Sequence, residues 1–466
     1  MALELSLELR HVTMIKKVIP LAVTILSIGE PSVQGAEIVP QGILAKSSAG
    51  AGQTTVTGPM ALFYNPANIG ISSELQADFD IGQVDYRYEY THTNQEKFNP
   101  VVIASKAPPV SLGTSMKVNS AWTLALSLFP TGIGSKQIVI DIPLYLGTGI
   151  YQIVDVELIN SGSKIVLGSS YRPAPWILLG LSIMRIEEKS DTSVFIAGEL
   201  FPFLRTISEG VFYRPTIGVR TLTPLSNLTV GLSISPTVVK KYTGKFLFDF
   251  DREDQKKGIF NYQPTQQMDV IPLTVGTGLH WKSPSWSLFI DAVYEAWKQG
   301  QDRVTRGLPI ASPKQDLKNI VNTTIGGSIK IAHNELKAAY GHQPANLGDG
   351  LRYVKPTGNT LDVPSPISSD KEAESSSSLA AQQDAEAPAL EGMTFGNISG
   401  IDRKVFALGW QRSFGFLSSD TAKAPGYVSV TLYSMAGNRT VPPGFSQEGQ
   451  YKFKLNMVTI GGAYRL

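Results

Sequence analysis

Ser285-Trp-Ser-Leu-Phe-Ile-Asp-Ala-Val-Tyr-Glu-Ala-Trp297 is the stretch whose reading decides the fold. Trp286, Leu288, Ile290, Ala292, Tyr294 and Ala296 share one face of an extended chain, and Ser285, Ser287, Asp291 and Glu295 share the other. That is strand alternation. It is also too long and too apolar on one side for a water-facing sandwich. Lipid outside and a lumen inside require this pattern of apolar-out, small-or-polar-in. It recurs at 121–129, where Trp122, Leu124, Leu126 and Leu128 alternate with Ala121, Thr123, Ala125 and Ser127. It recurs again at 271–281 and in the last strand, which puts Val458, Ile460, Tyr464 and Leu466 on one side.

Composition agrees. Charged residues are 17% of 466, below the usual quarter, and glycine is abundant at 43. A net charge of +2 implies no nucleic-acid partner. The absence of cysteine leaves no disulfide, thiolate site or lipid-anchoring thiol. Ile15-Lys16-Lys17 followed by the apolar run 18–28 reads as a signal peptide over 1–36, with Met14 as a second candidate start. No later run is long enough for a spanning helix, so any further crossing uses strands.

Short and long connections alternate. Tight turns are expected at Asn119-Ser120, 172–175, 223–227, 283–285 and His333-Asn334, with a longer one at 413–425. Long connections are expected at 91–98, 131–150, 190–206, 241–265, 298–317, 341–400 and 438–450. Membrane barrels have this asymmetry, with short periplasmic turns and longer extracellular loops. Trp122, Trp176, Trp281, Trp286 and Trp410 fall near the short turns and Trp297 at the opposite end, as interface girdles require. Residues 365–388 are low-complexity and belong to a long loop over 343–400.

Ala61-Leu-Phe-Tyr-Asn-Pro-Ala-Asn-Ile69, just ahead of the first strand, resembles the FadL/TodX family of outer-membrane transporters of long-chain fatty acids and aromatic hydrocarbons. A looser match is Trp122-Thr-Leu-Ala-Leu-Ser-Leu-Phe-Pro-Thr-Gly132, a strand running into a Phe/Pro/Gly bend. Counting strands with the family's number in view gives an all-β, antiparallel transmembrane β-barrel of about fourteen strands over 74–466, in a bacterial outer membrane. The resemblance implies that 37–73 form an N-terminal plug, with Phe63, Tyr64, Asn65, Pro66 and Ala67 at its centre. On residue pattern alone, Asn65-Pro66 is a turn.

The five histidines show no metal spacing, and only His280 is expected on a lumen face. No catalytic set, cofactor or metal is therefore expected, and the chain is read as no enzyme. The connection at 190–206 carries Phe195, Ile196, Leu200, Phe201, Phe203 and Leu204, unusually apolar for a water-facing loop. It is either a ligand-capture groove or an extension of the strands above the membrane. Pro108 and Pro109 lie opposite Pro130 and Thr131 if Asn119-Ser120 is a two-residue turn. With Gly132 and Gly134, they form either a lateral opening in the wall or the strand ends. Arg87, Arg185 and Arg220 are candidate partners for a ligand carboxylate. The function expected from the resemblance is passive transport of hydrophobic molecules by a monomer whose partners are an apolar ligand and outer-membrane lipid. The rival is a structural or adhesive surface protein that binds through its long loops.

Overall fold

The computed structural model describes residues 40–71, 74–92, 101–107, 110–130, 135–145, 151–196, 202, 204–223, 227–248, 262–300, 304–306, 314–345, 347–352, 401–414, 426–441 and 449–465. Fourteen antiparallel strands span the barrel. The first seven are β1 (Leu75–His92), β2 (Val101–Ala107 with Val110–Lys117), β3 (Trp122–Pro130 with Ser135–Tyr145), β4 (Tyr151–Ala174), β5 (Ile177–Ile196), β6 (Leu204–Leu222) and β7 (Leu228–Ser235 with Val238–Phe248). The rest are β8 (Gln263–Ile271 with Thr274–Lys282), β9 (Trp286–Glu295 with Val304–Arg306), β10 (Ile320–Ile331), β11 (Asn334–Gln343), β12 (Asp402–Phe414), β13 (Gly426–Val441) and β14 (Gly449–Arg465). Closure is made by β1 on β14, in unbroken register from Gln76↔Arg465 to His92↔Gly449. A separate pair, Lys314–Leu317 with Leu347–Arg352, stands outside the barrel sheet.

The wall has the inverted polarity of a membrane barrel. Leu288, Ile290, Leu408, Leu432, Val458 and Ile460 are exposed, while Ser127, Ser182, Ser287, Asp291, Thr431 and Thr459 are buried inside. Trp122, Trp176, Trp281, Trp286 and Trp410 are all exposed near the short-turn end, as the girdle reading expects.

The strands outlast the bilayer. β4 has 24 residues, whereas roughly 9–11 cross a membrane. Along β1 the outward face changes from Phe79 and Ile81 to Gln83, Asp85 and Arg87, all exposed. Its buried inward face changes oppositely, from Gln76, Asp78 and Asp80 to Val84, Tyr86, Tyr88 and Tyr90. β14 repeats this: Val458 and Ile460 give way outside to Asn456, Lys454 and Lys452, while Met457, Leu455, Phe453 and Tyr451 are buried inside. The crossing of these two gradients marks where the wall leaves lipid and becomes a water-facing shell around an apolar interior. Several connections are shorter than expected for the same reason. Hairpins stay zipped above the membrane, so β5 continues to Ile196 and β13 to Val441.

Two turns differ by a residue from expectation. Ala332-His333, with Ala332 at φ 52°, joins β10 to β11, since Ile331 pairs with Asn334. The β2–β3 turn holds Asn119, Ser120 and Ala121, because the Asn119 side-chain oxygen accepts from the backbone N–H groups of Ala121 and Trp122, both at 2.9 Å. Lys117 therefore faces Thr123 and Leu112 faces Leu128. The two-residue turn would have set lipid-facing Leu128 opposite lumen-facing Ser111, which a pleated sheet forbids. Pro108 and Pro109, expected opposite Thr131 and Pro130, lie outside the described residues.

Leu432 lies in the apolar belt, so Leu432→Arg should cost about 2–4 kcal/mol of folding stability in lipid vesicles. Lys454→Leu, above the belt, should change it far less. Urea unfolding in vesicles measures both, and equal losses would contradict the position of the belt.

Candidate functional site: the lumen segment and the chamber above it

Residues 40–71 run through the barrel as a short helix α1 (Ile43–Ser47) followed by two 3-10 turns, Pro59–Phe63 and Pro66–Ile71. Proline at the first position of a turn suits the chain locally, since its missing N–H has no partner to lose there. Such a segment cannot satisfy its own backbone, and the barrel wall does so. Ser127 donates to the Pro59 carbonyl at 2.7 Å, Ser182 to that of Leu62 at 3.1 Å and Ser170 to that of Ala67 at 3.1 Å. Arg172 donates to the Gly70 carbonyl at 2.9 Å. On the far wall, Asp291 accepts the Gln53 N–H at 2.8 Å, and Ser233 donates to the Gln53 side-chain oxygen at 2.8 Å.

Asn65 is the centre of this seating. Fully buried, it donates to the carbonyls of Gln53 at 3.0 Å and Val219 at 3.1 Å, and accepts from Ala67 N–H at 3.1 Å. One side chain thus fixes a distant part of the segment, a wall strand and its own turn. The wall has no side chain at two points of contact. A Cβ at Gly180 would overlap the Ala67 nitrogen, and one at Gly218 would overlap the Asn65 side-chain oxygen. At the other end, Lys46 and Asp80 form an ion pair, both fully buried. Such a pair is costly to break, because either partner alone is an uncompensated buried charge.

Of the three arginines considered for a carboxylate, Arg87 is exposed and pairs with Glu89 at 2.6 Å, and Arg185 pairs with Glu187 at 2.9 Å. Arg220 is on the inner face and donates to the Thr54 carbonyl and the Asn68 side chain. It holds the segment. The inner cations near the apolar cluster where the segment meets the wall are ones that the sequence left unmarked. Phe63 of the segment meets Phe129 of β3 edge-on at 5.5 Å, and the Lys164 ammonium lies 5.7 Å from the Phe63 ring. Val166, Met184, Ile186 and Phe212 complete the apolar walls. Lys240 bonds both Glu188 oxygens at 3.0 and 3.1 Å, and Tyr242 donates to the same carboxylate. Above this chamber is the aromatic lining already described, where Tyr86 stacks near Phe453 at 5.5 Å and Tyr90 near Tyr451 at 4.8 Å.

Phe195, Ile196 and Leu204 lie on paired strands, with Phe195 opposite Asp155, Ile196 opposite Val154 and Leu204 opposite Val194. Leu200, Phe201 and Phe203 lie outside the described residues, as do Pro108, Pro109, Gly132 and Gly134. Pro130 ends the first half of β3 and pairs with Ser163 of β4. On its other side, the described β2–β3 ladder runs only from Lys117↔Thr123 to Leu112↔Leu128. The flanking ladders continue, β1–β2 to Tyr90↔Val101 and β3–β4 to Tyr145↔Tyr151.

No protein-family model matches this sequence. No curated protein matches it either. Solved structures do match in shape. A FadL homologue from Pseudomonas aeruginosa superposes with a TM-score of 0.62 at 13% identity, covering 91% of this chain and 98% of that one. The toluene transporter TodX of P. putida gives 0.58 at 11% identity over 92% and 99%. The toluene transporter TbuX of Ralstonia pickettii gives 0.54 at 9% identity over 92% and 99%. At these identities the likeness is one of fold: the chain has the barrel fold of these FadL- and TodX-type structures.

Proposed function

We propose that this protein carries hydrophobic molecules passively across the bacterial outer membrane, with long-chain fatty acids as the first substrate class and aromatic hydrocarbons as the second. The observation that carries this reading is the inward aromatic face above the lipid belt. Tyr86, Tyr88, Tyr90, Tyr451 and Phe453 offer an apolar surface shielded from water by a polar outer shell. A greasy solute gains free energy by leaving water for such a lining, by about 25 cal/mol per Å² buried. Below it, residues 40–71 act as the plug, and Phe63, Phe129 and Phe212 belong to the packed apolar cluster that the plug makes with the wall.

The loop carrying Leu200, Phe201 and Phe203, flanked by Phe195, Ile196 and Leu204, is the capture site. The exit is lateral, between β2 and β3, near Pro108, Pro109, Pro130, Gly132 and Gly134. Three features support it. The described β2–β3 ladder stops at Leu112↔Leu128 while its neighbours continue, Pro130 has no N–H to donate, and Phe129 presents the chamber beside it.

Oleate uptake by cells lacking their own transporter tests transport. Cells bearing this barrel should take up oleate well above the empty vector, and Phe201→Asp/Phe203→Asp should remove most of the gain. An inserted barrel with no uptake above the vector would sink the fatty-acid reading. Uptake of toluene alone would select the second class.

Asn65 holds the plug until a ligand displaces it. Asn65→Ala removes the bonds to the Gln53 and Val219 carbonyls, of which Gln53 keeps Asn68, and takes the acceptor from the Ala67 N–H, at about 1–3 kcal/mol per orphaned group. Faster amide exchange across residues 52–68, with the wall strands unchanged, is expected. Exchange that does not change there would show that Asn65 holds nothing.

A further inference from the structure

The inner wall above the lipid belt holds a cation that no group of the wall answers. Arg403 is the second residue of β12, and its neighbours Asp402 and Lys404 are exposed. Alternation turns the Arg403 side chain inward, where it is 8% exposed. Lys404 lies level with Ala436, Lys454 and Arg87, so this row belongs to the part of the wall with a water-facing outer shell. The Arg403 Nε has no hydrogen-bond partner, and among the described residues the guanidinium makes no hydrogen bond or ion pair.

The carboxylates around it are engaged elsewhere. Glu295, three strands away on the inner face, accepts from Asn322 at 2.8 Å and from the Trp297 indole N–H at 2.6 Å. Asp402 is on the outer face and accepts the Ala345 N–H at 2.6 Å. Asp80 is paired with Lys46, and Glu188 with Lys240. A buried charge without a partner is costly, so a guanidinium kept in this state marks a place for an anion that arrives from outside the wall. Its planar fork matches a carboxylate, which can take two parallel hydrogen bonds from it.

The surroundings specify what the carboxylate is attached to. Arg403 faces Gly437, Gly437 faces Phe453, and Phe453 faces Tyr88. With glycine between them, no side chain on this row separates Arg403 from the aromatic lining. The row beneath is Val405, Met435, Leu455 and Tyr86, all buried. Arg439, a diagonal neighbour about 7–8 Å from Arg403, faces Tyr451 and adds a second cation to the same inner face. Lower on β13 the Tyr433 hydroxyl is buried and also lacks a partner. A charged donor bordered by aromatic and aliphatic side chains suits an amphiphile and not a free inorganic anion.

We propose that Arg403 is a head-group site on the upper inner wall, binding the carboxylate of a fatty acid whose chain lies along the neighbouring aromatic lining. This rests on the transport reading above and deepens it: the site favours fatty acids over neutral hydrocarbons of the same length. The ligand stays above the plug, on the side from which the lateral exit leads.

The test compares oleate with oleyl alcohol, which share a chain and differ in head-group charge. Cells carry the wild-type protein, Arg403→Gln or Arg403→Lys, and heat-modifiable migration confirms that each barrel is folded. The Gln variant should lose about tenfold in oleate uptake, the scale of 1.4 kcal/mol, with oleyl alcohol unchanged. The Lys variant, which keeps the charge and loses the fork, should fall between the two. Urea unfolding of the purified barrels without ligand should show the Gln variant at least as stable as wild type, because it removes an unpaired buried charge. Lower stability of the ligand-free Gln variant together with an equal fall for both compounds would make Arg403 structural and overturn the proposal. Unchanged oleate uptake in the Gln variant would overturn it while leaving transport standing. Excess acetate should not inhibit oleate uptake, and inhibition would show a general anion site in place of an amphiphile site. Wild-type cells that import neither compound would overturn transport first, and this site with it.

Discussion

Every backbone N–H and C=O within lipid must find its partner inside the protein, and the rest of this structure follows from that requirement. A sheet meets it only by closing, and β1 on β14 closes it without a break. Closure fixes each residue as inward or outward. Lipid then selects the outer set and the lumen the inner one. The segment 40–71 carries the same requirement into the interior. It is too short and irregular to pair its own groups, so inward Ser127, Ser170, Ser182, Arg172 and Arg220 supply the missing donors. The buried polar residues of the wall are therefore the counterpart of the segment's irregular backbone.

Where the lipid ends, the rule reverses. Above the belt, water touches the outer face, and the inner face becomes the shielded one. The same strands accordingly exchange polarity: Asp85, Arg87, Lys452 and Lys454 outside, Tyr86, Tyr88, Tyr451 and Phe453 inside. This exchange needs no change in backbone or register. A continuous apolar surface thus lies above the chamber, inside a wall whose lower half is apolar on the opposite face. The lipid-facing surface of the lower half and the apolar surface of the upper half therefore lie on opposite faces of one sheet.

The belt was legible in the sequence because lipid enforces period-two hydrophobicity over whole strands, as at Trp286, Leu288 and Ile290. The aromatic lining was harder to see. Tyr86, Tyr88 and Tyr90 alternate with Asp85, Arg87 and Glu89, a clean pattern, but one whose apolar face is the opposite of that carrying Phe79 and Ile81. Recognising it requires allowing the apolar phase to slip partway along a strand. The register of β2 on β3 escaped because the Asn119 side chain, not its backbone, sets the turn. The Asn65 turn was readable, but its bond to Val219, 154 residues away, was not. The Lys46–Asp80 pair was equally hidden, since each residue alone looks like solvated surface. Long-range partners leave no local signal.

The segment divides the lumen into two unlike compartments. Above it, the walls are aromatic and aliphatic, and two of the cations present are held in place: Lys240 by Glu188, and Lys164 against Phe63. Below it, Lys330 faces Glu335 and Lys337 faces Ser328 across neighbouring strands. The seating is made of separate hydrogen bonds, about 1 kcal/mol each where the partner is a serine hydroxyl or Asn65 and more where it is charged, as at Asp291, Arg172 and Arg220. The buried ion pair at Lys46, far costlier to separate, anchors one end. Loss of either partner there leaves a bare buried charge, so this end of the segment is tied to β1 more firmly than any single serine contact could tie it.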